Sequence, residues 1–146
     1  MKLSELSKLY GTDEHLWYEE MAKTLSEGRR IDRKNLCDYL LESASRNHRE
    51  VDRRLTILLM HLLKYTYQPR KRTRSWRLTI NHQRYELHQI FAFSASLKHH
   101  AIETLHDAYK RARKYASLET GMSISKFPTT LSATLDEIVE SEDYKL

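Results

Sequence analysis

The chain of 146 residues has one cysteine, two prolines and three glycines. The lone Cys37 excludes an intramolecular disulfide and a thiolate metal cluster, and with them the disulfide-stapled secreted scaffolds. A reducing, cytoplasmic setting is the resulting default. Three glycines are too few for the Gly-rich loops that cradle nucleotide phosphates, and no nucleophile elbow or metalloprotease motif is present. The longest apolar run, LTILLMHLL at residues 55–63, falls well short of the roughly 20 residues of a membrane span. The opening MKLSELSKLYGTDEH carries polar residues every few positions and lacks the apolar core of a secretory signal. No membrane partner is expected, and the apolar run reads as a core helix.

What is present suits a single domain. A hydrophobic share of 40% is enough for one core at this length. Lys and Arg total 25 against 20 Asp and Glu, a net charge of +5. That balance permits nucleic acid, an acidic protein or an anionic surface as partner and selects none of them.

All five helix breakers, Gly11, Gly28, Pro69, Gly121 and Pro128, fall between segments whose apolar residues recur at helical spacing. The sequence therefore predicts an all-α, single-domain bundle over residues 1–146, built from about five or six helices. A first helix ends at Gly11, and Thr12 or Asp13 caps a second that aligns Trp17, Met21 and Leu25. Gly28 suits the left-handed position after a helix end, and Asp32 is a candidate cap for the third helix. Residues 32–67 contain no Pro or Gly, and Leu36, Leu40 and Ala44 lead into Val51, Leu55, Leu58, Leu62 and Tyr65. The alternating steps of 4 and 3 in the second half mark a bundle-core stripe. One helix over this whole stretch would be about 50 Å long, so a kink or break is expected at residues 43–47, where apolar density lapses. Cys37, beside Leu36, reads as a small buried hydrophobe. A further helix over residues 75–91 places Trp76, Ile80, Leu87 and Phe91 on one side. Ser94 or Ser96 caps the next, which aligns Leu97, Ala101, Leu105, Tyr109, Ala112 and Ala116 and stops at Gly121. The remainder is expected to hold one short helix at residues 135–139 and a loose end, the short acidic C-terminal stretch being counted from about residue 134. The central helix is apolar nearly all round at residues 55–63, so either other helices or a second copy of the chain must cover it, and a homodimer is one of the two solutions.

The run HLLKYTYQPRKRTRSWRLTI from His61, TDEHLWYEE near the start and ETGMSISKFP near the end together resemble the family known as domain of unknown function twenty-nine, a family abundant in cyanobacteria. The resemblance covers nearly the whole chain. It implies an all-helical single-domain fold and supplies no function. The sequence departs from the family's pattern at Ala44-Ser45, where relatives tend to carry glycine, and at Arg70, where an acidic residue is common.

Charge is regional. No acidic residue lies between Asp52 and Glu86, while that interval holds Arg53, Arg54, Lys64, Arg70, Lys71, Arg72, Arg74, Arg77 and Arg84. Arg70, Lys71, Arg72 and Arg74 sit at the start of a predicted helix, where the macrodipole disfavours each cation by about 0.3 to 1 kcal/mol. Such an arrangement calls for an anion. Arg70, Lys71, Arg72, Arg74 and Arg77, with Trp76, are the candidate anion- or nucleic-acid-binding residues of a basic region at 64–84. Guanidinium forks and free N–H groups would take phosphate, and Tyr65, Tyr67 and Trp76 would stack on bases. The competing reading is internal: Asp136, Glu137, Glu140, Glu142 and Asp143 form an acidic segment able to cover the loop, and Trp76 begins an apolar stripe.

Arg54 and His61 fit the Arg-x(4–6)-His spacing and so resemble the catalytic pair of the HEPN ribonucleases, small helical bundles that join two such pairs across a dimer. There His would act as acid or base and Arg would stabilise charge on the phosphate, with no metal. Chance alone predicts about two such spacings in this composition, and two occur, the other being Arg77 with His82. Leu55 follows Arg54 where those enzymes carry a polar residue. An interaction module that is not an enzyme is therefore the leading reading, with the metal-independent nuclease as its alternative. Glu103 and His106 form one Glu-x-x-His unit, of which a di-iron bundle needs two. His99, His100 and His106 accordingly read as a solvated helix face, and no metal or cofactor is assigned.

Overall fold

Four of the helix starts form where the sequence supplies a side-chain oxygen acceptor. In a computed structural model, which describes residues 1–146, six helices follow one another with no strand. They are α1 (Leu3–Thr12), α2 (Glu14–Ser26), α3 (Arg33–Tyr67), α4 (Arg74–Phe93), α5 (Ala95–Thr120) and α6 (Leu135–Glu140), with 3-10 turns at Pro69–Lys71 and Ile124–Lys126. Asp13 accepts from the Leu16 N–H at 3.1 Å, Thr73 from Trp76 at 3.2 Å, and Ser94 from Leu97 at 3.3 Å. Thr134 and Glu137 bond each other's N–H groups in a reciprocal box. Each cap satisfies a donor that the helix itself leaves orphaned. Gly121 ends α5 at φ +71°, a backbone angle that side chains with Cβ resist. Gly11 does not end α1. The helix carries it in the last turn and stops one residue later, where Asp13 turns the chain to begin α2.

The expected break in the long helix is absent, because α3 runs through all 35 residues. Ser43 to Asn47 contain no Pro or Gly to interrupt the ladder, and Arg46 Nη2 bonds Ser43 Oγ at 3.1 Å along the helix surface. The lapse in apolar residues coincides instead with the border of two compact units, 1–46 and 47–146.

In the first unit, Leu6, Trp17 and Met21 are buried, and Tyr10, Tyr18 and Tyr39 surround the indole. Asp32 does not cap the α3 backbone with its side chain. Buried at 6% exposure, its carboxylate accepts from Trp17 Nε1 at 3.3 Å and from Asn35 Nδ2 at 2.7 Å. Asn35 also reaches the Ser7 carbonyl at 3.2 Å, so one polar pair links α1, α2 and α3. Leu25 and Leu40 are exposed rather than in a core stripe, as are Ala44 and Cys37. The latter is a free surface thiol, not a buried hydrophobe.

In the second unit the stripe forms as its spacing predicts: Val51, Leu55, Leu58 and Leu62 are fully buried, together with Leu59 and Leu63. Ile80 and Leu87 of α4, the small residues Ala101, Ala108, Ala112 and Ala116 of α5, and Ile138 of α6 complete the enclosure. Covered within one chain, this helix needs no second copy to bury it. The acidic end is tied down rather than loose: Arg84 Nε bonds the Ile138 carbonyl at 2.7 Å, and the Leu146 N–H bonds Thr66 at 2.9 Å. No helix is long and apolar enough to cross a membrane.

Candidate anion-binding site

Pro69 opens the turn after α3, and the chain re-enters a helix at Arg74 behind the Thr73 cap. Arg72 points back at α3, where its Nε donates to the Tyr65 carbonyl at 2.8 Å and its guanidinium lies 4.5 Å from the Tyr65 ring centre. It is a staple for the loop rather than an open binding group. Arg70, Lys71, Arg74 and Arg77 are all exposed and engage no acceptor. Of the five cations singled out by sequence, four therefore face solvent around the start of α4 and one is consumed by the fold.

The stacking residues are also consumed. Tyr65 packs against Arg72 on one side and Tyr144 on another, at 5.3 Å between ring centres. Tyr67 meets Phe127 edge-on. Half-buried Trp76 carries the Lys64 ammonium 4.8 Å from its ring centre, and Lys64 is itself paired with Glu119 at 2.7 Å. Trp76 belongs to a surface ion-aromatic cluster, neither to the core nor to a free platform.

The acidic segment does not cover the loop. Asp136 pairs with Lys98 at 3.1 Å, Glu140 with His88 at 2.8 Å, and Glu137 is spent in the α6 cap. No residue of the acidic segment pairs with Arg70, Lys71, Arg74 or Arg77, and these four cations are left uncompensated.

Arg54 and His61 lie two turns apart on α3 and do different jobs. The Arg54 guanidinium bonds Glu50 at 3.0 Å and Gln83 at 3.1 Å, with Glu86 at 3.8 Å, and its side chain is 16% exposed. Its donors are directed at α3 and α4 rather than at a scissile phosphate. His61 Nδ1 faces the Ile57 carbonyl at 2.9 Å, which obliges that nitrogen to carry the proton. Burial, with Lys64 in support, holds the imidazole below its ordinary pKa, against the opposing pull of the Ile57 carbonyl and Glu119. The nuclease pairing gains no support from this geometry. The second spacing match, Arg77 with His82, lies on the exposed side of α4.

His99 pairs with Glu103 at 3.0 Å on the surface, and His106 is exposed. His100 turns inward to Asp52 at 2.9 Å and stacks on His48, with ring centres 4.2 Å apart. The three histidines therefore do not share one site, and no group of three or more His, Cys, Asp or Glu residues is arranged to hold a metal ion.

One residue of the basic region has a role that sequence reasoning missed. Arg84 is 6% exposed and forms no ion pair, and burial holds its guanidinium below the ordinary arginine value while Tyr144 and Asp143 oppose that shift. The signal was in the spacing: Ile80, Arg84 and Leu87 advance by 4 and 3, which places a guanidinium on the core-facing stripe of α4.

No curated protein and no solved structure matches the chain. The family model described as Domain of unknown function DUF29 matches residues 9–144, nearly the full length, and covers both the capped helices and the basic loop. The protein thus belongs to the DUF29 family.

Proposed function

We propose that this protein is a helical interaction module, not an enzyme, that docks an anionic partner, nucleic acid or an acidic protein segment, on the basic region at 64–84. The observation that carries the reading is the uncompensated state of Arg70, Lys71, Arg74 and Arg77, none of which pairs with the acidic segment. Cations at a helix start oppose the macrodipole, and an anion bound there relieves both that term and their mutual repulsion. Because Tyr65, Tyr67 and Trp76 are occupied, recognition runs through phosphate or carboxylate charge and not through stacked bases. Single strands and duplexes should then bind alike, without sequence preference. The free thiol of Cys37 is compatible with a reducing, cytoplasmic setting.

The test is fluorescence anisotropy with labelled single-stranded RNA, duplex DNA and a polyaspartate peptide over a range of salt. Affinity that falls steeply with salt, and that is lost when the four cations become alanine, supports the reading. Binding that survives their removal refutes it.

A further inference from the structure

Between α4, α6 and the segment that follows α6 lies an open cleft of about 560 Å³, within the roughly 300–1,000 Å³ typical of small-molecule sites. It is separate from the basic loop and is lined by charges of both signs. Among its lining residues is Arg84, more than nine-tenths buried. Its Nε is used by the Ile138 carbonyl at 2.7 Å, but its Nη1 is buried with no acceptor in the protein. A buried guanidinium lacking both an ion pair and a full set of acceptors is costly, and the cost is relieved by an oxyanion.

The other charges of the cleft define the rest of the ligand. Glu140 is engaged by His88 Nδ1 at 2.8 Å, whereas Glu142 is exposed and has no cationic partner. A dianion entering the cleft would meet that carboxylate, while an ammonium would pair with it. The cleft is also lined by Val139 and the rings of Tyr85 and Tyr144. The Tyr144 hydroxyl is held by Asn81 Nδ2 at 3.0 Å, which fixes one wall.

We propose that this cleft binds a small zwitterion, a free α-amino acid with an apolar side chain, with its carboxylate on Arg84, its ammonium on Glu142 and its side chain against Val139, Tyr85 and Tyr144. The test is calorimetric titration of the intact chain with L-leucine and L-phenylalanine, beside phenylalanine amide, which lacks the carboxylate, and 3-phenylpropionate, which lacks the ammonium. The amino acids bind, and each control binds at least about tenfold more weakly, the scale of one charge-assisted contact. Arg84→Gln abolishes the preference for phenylalanine over its amide. Since Arg84 also holds α6, Glu142→Gln serves as an exposed second variant that leaves folding intact. It lowers affinity for phenylalanine about tenfold and leaves 3-phenylpropionate unaffected. Failure of both amino acids to bind at millimolar concentration, or equal binding of either control, overturns the assignment.

Discussion

Arg72 is held twice by Tyr65, through a 2.8 Å hydrogen bond to its carbonyl and a guanidinium seated 4.5 Å from its ring centre. Its neighbours Arg70, Lys71 and Arg74 hold nothing. The basic loop therefore contains two kinds of cation that the sequence shows as one. Arg72→Ala is expected to cost about 1–2 kcal/mol from the lost charge-assisted bond and cation–π contact. Alanine at Arg70, Lys71, Arg74 or Arg77 is expected to change stability by less than about 0.5 kcal/mol. The variant lacking all four should be at least as stable as the parent, because Arg74 opposes the α4 dipole. Urea denaturation of the variants checks both statements.

Arg54 gives the opposite expectation to the catalytic one. Its removal leaves the buried Gln83 oxygen without a donor and Glu50 and Glu86 without their cation. Arg54→Ala is expected to destabilise by about 1.5–3 kcal/mol, read as a lower urea midpoint with an unchanged slope.

His61 makes stability depend on pH. Its folded-state pKa lies below the ordinary 6.5 because the half-buried ring resists protonation. Between the two values the unfolded chain binds more protons than the folded one, so the His61 contribution is intact above about pH 6.5 and is lost as pH falls below it. His61→Gln should narrow the stability difference between pH 7.5 and pH 5.5, as measured by urea denaturation at each. A difference unchanged by the substitution contradicts the assignment.

Trp17 and Asp32 test the first unit separately. Trp17→Phe keeps most of the buried ring but removes one of the two donors to the buried carboxylate. The expected loss is about 1–3 kcal/mol, visible as a lower midpoint of thermal unfolding. Asp32→Asn in the Trp17→Phe background should then cost less than Asp32→Asn alone.

Helix positions were legible because their signals are local. Asp13, Ser94 and Gly121 each act within a few residues of where they stand, and the Val51 to Leu62 stripe is a property of one helix. Features set by contacts between distant residues were not legible. Leu40 and Cys37 have the spacing and chemistry of core residues, yet nothing packs over that side of α3 in the first unit. The acidic end is anchored by contacts such as Arg84 to the Ile138 carbonyl, 54 residues apart, which no local pattern announces. Trp76 and Tyr65 were readable as aromatic, but the cations that occupy their faces come from Lys64 and Arg72 and are set only by the fold.

Whether the four free cations form an anion-docking surface is tested most directly by the salt dependence of binding to labelled duplex DNA, single-stranded RNA and polyaspartate, for the parent and for the four-alanine variant. The expected result is that the two nucleic acids together, or polyaspartate, bind the parent with affinity falling steeply as salt rises, and that the variant, folded and no less stable, loses this binding. No binding of any of the three at low salt, or equal binding by the variant, would contradict it.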